Sequence, residues 1–155
     1  MMPARLTAGN LRVTAARYQA EAYQDYRKLL DRKDIDAVVI ATPDHWHAIM
    51  TIMACQAGKD VYVEKPCSHS LLEGRRLVEA ARKYGRIVQH GTQRRTDPQW
   101  IQLVNDVRSG KYGQLQVSYG YASRTRRSIG ITDPQSPPRE LDFNLWLGPA
   151  PVRPF

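Results

Sequence analysis

Ala37-Val38-Val39-Ile40-Ala41-Thr42-Pro43-Asp44 is an apolar run without polar alternation, cut off by a proline. A run of this length reads as a strand buried on both faces, as in a parallel sheet. Asp44 then reads as the N-cap of a helix over 45–57, with Ile49, Ile52, Met53 and Gln56 on one side. Gly58 is placed to end that helix in the left-handed conformation that costs glycine little.

The pattern repeats downstream. Val61-Tyr62-Val63 reads as a second strand, closed by Glu64-Lys65-Pro66. Ser70-Leu71-Leu72-Glu73 matches a capping box. The helix it opens carries Leu77, Val78, Ala81 and Tyr84 and stops at Gly85, before a third strand over 87–91. Short strands separated by such helices argue for βαβ crossovers and a doubly wound sheet.

Asp97-Pro98 opens a further helix, with Ile101, Leu103, Val104 and Val107 as its apolar side and Gly110 at its end. Upstream, Asp25 is placed to cap a short helix from Tyr26 to Leu30. Residues 115–121 alternate, with Leu115, Val117, Tyr119 and Tyr121 against Gln114, Gln116, Ser118 and Gly120. Period two predicts a strand with one wet face, unlike the first three, and places a domain boundary near 91–97.

The chain has 155 residues, 42% hydrophobic and 25% charged, which suits one ordinary globular domain. This excludes a disordered chain, a fibre and a disulfide-dense miniprotein. No apolar run approaches the roughly 18–20 residues that span a bilayer, so no membrane partner is expected. The first 25 residues hold no secretion-type apolar block, and Cys55 and Cys67 form no disulfide framework. A reducing, cytoplasmic setting is the expectation. Lys and Arg total 23 against 15 Asp and Glu, a net charge of +8. Lys111, Arg124, Arg126 and Arg127 form a loose basic patch near Tyr119 and Tyr121. The segment lacks the aromatic signature of an RNA-binding sheet, so the patch reads as solvated surface and no nucleic-acid partner is expected.

Ligands of an open parallel sheet bind at the carboxyl ends of its strands. Thr42-Pro43-Asp44-His45-Trp46-His47 follows the first strand, Glu64-Lys65-Pro66 the second, and Gln93, Arg94 and Arg95 the third. Lys65 is the candidate catalytic residue. Partial burial beside a helix N-terminus would suit its amine to proton transfer. His45 and His47 are two apart, not the i, i+4 pair of a zinc helix, and the cysteines complete no ligand spacing, so no metal site is expected. His69 and His90 read as structural.

With these motifs the chain resembles the Gfo/Idh/MocA family of NAD(P)-dependent oxidoreductases. The resemblance rests on Asp36 to Pro43, Asp44-His45-Trp46-His47, Gly58 to Pro66, Gly91-Thr92-Gln93-Arg94-Arg95 and Trp146-Leu147-Gly148-Pro149-Ala150-Pro151, in family order. It implies an α/β fold. Residues 1–93 would be the C-terminal part of a Rossmann-type domain with a doubly wound parallel sheet. Residues 94–155 would begin an α/β substrate domain. It implies hydride transfer between NAD or NADP and a sugar, inositol or related polyol, by an enzyme that is a homo-oligomer when full length. Lys65 would be the catalytic or substrate-orienting lysine. Glu64 and Pro66 would flank the nicotinamide and its ribose; Thr42, Pro43 and His45 would line the cofactor, with His47 close behind. Gln93, Arg94 and Trp146 would stand on the cofactor or substrate side. Two other readings stay open: an NAD-dependent glycosidase of the same superfamily, and a non-catalytic binding remnant.

No two of the ten glycines lie two residues apart, so the phosphate-binding Gly-x-Gly-x-x-Gly is absent. The chain therefore reads as an internal piece of a longer enzyme, and the +8 charge assigns no partner. Alone, the piece is expected to bind NAD poorly and, with an open sheet edge, to aggregate or pair with itself.

Overall fold

A computed structural model describes residues 15–121, 128 and 130–155. The element order is α1 (Tyr26–Leu30), β1 (Ala37–Ile40), α2 (Asp44–Gln56), β2 (Asp60–Glu64), α3 (Leu71–Tyr84), β3 (Val88–Gly91), a 3₁₀ turn (Gln93–Thr96), α4 (Pro98–Arg108) and α5 (Phe143–Leu147). The three strands form one parallel sheet in the order β1-β2-β3. Val38 pairs with Val61 and Val61 with Val88, while Glu64 pairs with Gly91. The register brings the carboxyl ends of the strands to one edge.

The local signals explain the elements. Asp25 caps α1 by accepting from the Arg27 amide. The Ser70–Glu73 capping box forms in full at the start of α3. Gly58 and Gly85 follow their helices at φ +78° and +60°, a region costly to residues with a Cβ. At α2 the N-cap is Pro43 rather than Asp44, which lies inside the first turn and puts its negative charge at the helix N-terminus.

The core forms where α1, α2 and α3 meet one face of the sheet. Leu30, Ile40, Ala54, Cys55, Val61, Val63 and Ala80 make one buried cluster. Burial pushes the Cys55 thiol up, so it packs as a small apolar group. Lys59 is also buried, and its Nζ donates to the Arg32 carbonyl at 2.5 Å.

The sequence-based expectations need three corrections. Among the described residues β1 is covered on one face only: Ile40 is buried and Val38 half-buried, whereas Val39 is 75% exposed. The buried side of α2 is His47, Ala48, Thr51, Ala54 and Cys55, while Ile49 and Gln56 are exposed. Small side chains face the core because they let the helix lie close to β2 and α3. The alternating segment 115–121 forms no strand, and Leu115, Val117, Tyr119 and Tyr121 are exposed. A period-two pattern becomes a strand only against a partner that takes up its backbone hydrogen bonds, and no described segment does so.

The described residues fall into two compact units, 15–91 with 134–155, and 92–133. In the second, α4 keeps the expected Asp97 cap and first-turn proline but buries no residue. Arg124, Arg126 and Arg127 lie outside the described residues.

Candidate functional site

The edge is built from two turns of the first unit. Thr42-Pro43 follows β1 and leads into α2. Lys65-Pro66 follows β2, with a cis peptide bond between the two residues. Thr42 Oγ1 lies 3.5 Å from the Met50 sulfur. The Pro43 carbonyl accepts from the Trp46 amide at 2.9 Å, which closes the first turn of α2. Glu64 is half-buried, and its carboxylate accepts from the Lys65 amide at 3.2 Å.

His47 joins the two turns from below. Its ring lies 2.6 Å from the Pro66 carbonyl oxygen through Nδ1 and 2.8 Å from that of Thr42 through Nε2. The imidazole is 1% exposed, so water does not compete for these contacts. Lys65 differs from expectation. It is exposed, so the partial burial anticipated for it is not found. Its position directly after β2 is the expected one.

His45 and Trp46 hold α5. His45 Nε2 lies 2.9 Å from the Trp146 carbonyl oxygen, and the two rings meet edge to face at 5.8 Å. Trp46 Nε1 donates to the Leu145 carbonyl at 3.1 Å, and its ring packs edge to face with Tyr26. Trp146 stacks on Phe143. Gly148, at φ +52°, presses so closely on the Trp46 ring that a Cβ there would lie 2.2 Å from Cζ2.

Thr42, His47 and Pro66 are therefore brought together, and His45 is brought to Trp146. Gln93 and Arg94 are exposed in the 3₁₀ turn of the second unit. Sequence reasoning quoted Trp46 and Gly148 within motifs but gave them no role. Their signal is a glycine between a tryptophan-bearing turn and a proline, where a ring can lie against bare backbone. Among the described residues no group of three or more His, Cys, Asp or Glu could hold a metal ion. No helix among them is long and apolar enough to cross a membrane. An open groove of about 730 Å³ lies beside Trp46, between Tyr23, Lys28, Asn144 and Leu145, and does not include Lys65.

Residues 5–92 match the model of an oxidoreductase family with an NAD-binding Rossmann fold, Gfo/Idh/MocA. The chain is 36% identical over 152 residues to an inositol 2-dehydrogenase of Salmonella typhimurium, a match that covers 92% of this chain and 44% of the relative. It is also similar to the crystal structure of myo-inositol 2-dehydrogenase from Lactobacillus plantarum, with a TM-score of 0.63, 29% identity, and coverage of 70% of this chain and 33% of that one. A 3-ketoreductase from Actinomadura kijaniata, solved in complex with TDP-benzene and NADP, gives a TM-score of 0.63 at 29% identity, over 68% of this chain and 34% of that one. The chain thus spans less than half the length of these relatives.

Proposed function

This chain belongs to the Gfo/Idh/MocA oxidoreductase family, and from that premise we propose that it carries the nicotinamide edge of an NAD(P)-dependent dehydrogenase acting on an inositol, sugar or related polyol. The observation that carries the reading is the shared edge of the sheet, where the Thr42-Pro43 and Glu64-Lys65-Pro66 turns stand side by side at the carboxyl ends of paired strands. The inositol 2-dehydrogenase relative supports the substrate class, and the NADP complex of the ketoreductase supports the cofactor class.

In this reading Thr42, Pro43, His45, Glu64 and Pro66 line the nicotinamide half of the cofactor, with His47 behind them. The chemistry the cofactor supplies is hydride acceptance or donation. The chain supplies the amine of Lys65, exposed at the rim, where it can donate a hydrogen bond to the reacting oxygen of a substrate and orient it. Gln93, Arg94 and Trp146 serve the cofactor or substrate side. Residues 1–93 belong to the dinucleotide-binding part and 94–155 open the substrate part.

The test is NADH formation from myo-inositol and from a panel of sugars in a full-length context that supplies a phosphate-binding loop, with Lys65→Ala alongside. The expected result is polyol-dependent NADH release that falls at least ~100-fold in kcat in the variant. Unchanged turnover in Lys65→Ala would remove the lysine from the chemistry. Sugar release from a glycoside with NAD recycled would favour the hydrolase instead.

A further inference from the structure

His47 stands apart from the other residues of the edge. It is a fully buried polar side chain among the small residues of α2's buried stripe, and it links the Thr42 carbonyl to that of Pro66, nineteen residues beyond it in sequence. The backbone of its own turn is also secured, since Thr51 Oγ1 donates to the His47 carbonyl at 2.8 Å.

Both groups facing the ring nitrogens are carbonyl oxygens, of Pro66 and of Thr42. The ring therefore sits between two backbones, one nitrogen toward each carbonyl, and at 1% exposure no solvent takes the place of either contact.

We propose that His47 is a positioning residue, an internal clip whose ring bridges the Thr42 and Pro66 carbonyls through its two nitrogens and so fixes the spacing of the two turns. The proposal deepens the reading above and rests on it for the meaning of those turns. The clip touches no ligand. It holds the Thr42-Pro43 backbone and the Glu64-Lys65-Pro66 backbone at one separation, so that groups lining a single ring-shaped ligand stay in register. A pocket left to loop backbone alone loses that precision.

The experiment is amide hydrogen exchange on the full chain. His47→Gln should speed exchange about tenfold in both turns, at residues 44–46 and 67–68, while Val61 and Val63 stay protected. Acceleration in one turn only, or equal acceleration in β2, would show a general packing role and contradict the clip. The measurement involves no cofactor, so its failure leaves the dehydrogenase reading standing, and absent NADH turnover leaves the clip standing.

Discussion

Gly148 and Trp46 are in such close contact that a methyl group on the glycine would fall 2.2 Å from the indole. The contact seats the last turn of α5 on the first turn of α2, where Trp46 Nε1 and His45 Nε2 take the final carbonyls of the short helix.

Gly148→Ala should therefore destabilise the protein by about 2 kcal/mol or more, from positive φ and overpacking together. Urea unfolding measures it. Trp46→Leu in the same chain should return part of the loss, because only the steric share depends on the indole. A fully additive double variant would mean that the ring and the glycine do not meet.

Ser70→Ala should cost about 1 kcal/mol, since the Ser70 hydroxyl accepts from the Glu73 amide and the Glu73 carboxylate accepts in return from the Ser70 amide. Thermal unfolding of the variant and of Ser70→Thr checks it, with threonine retaining most of the stability.

Val63→Ala should cost on the order of 2 kcal/mol, because the side chain is fully buried in the middle of the central strand. Val39→Ala, on the exposed side of β1, should cost far less. Equal losses would mean that the sheet is covered on both faces.

The Asp34 carboxyl is held down to about 2, chiefly by its hydrogen bonds from the Arg32 guanidinium. A folded value below the unfolded one adds stability above roughly pH 4 that is lost as pH falls from there through about 2. Carbon-detected NMR titration should place Asp34 in that low range. Arg32→Met should return it to the ordinary carboxylate range, and no movement in that variant would remove the guanidinium as the cause.

The order of the elements was legible because their punctuation is local. Asp25, Ser70, Asp97, Gly58 and Gly85 each act on neighbouring backbone, and each does in the structure what its chemistry requires. The faces were less legible. Helical spacing points to Ile49, Ile52, Met53 and Gln56; Ile52 and Met53 do pack against the core, Ile49 and Gln56 are exposed, and the most buried stripe is Ala48, Thr51, Ala54 and Cys55. The exposure of Val39 and of 115–121 depends on what lies across space, which a linear pattern does not encode. At the candidate site, sequence placed Thr42 and Lys65 at strand ends. The His47 bridge and the Gly148–Trp46 contact needed coordinates, because each joins residues distant along the chain.

The claim that the edge of the sheet receives a nicotinamide dinucleotide is tested most directly by titrating millimolar NADH into the ¹⁵N-labelled chain and following its amide resonances. The account predicts shifts concentrated at residues 41–46 and 64–67, the turns after β1 and β2. Shifts confined to α4 or to the opposite ends of the strands, with those two turns unmoved, would contradict it.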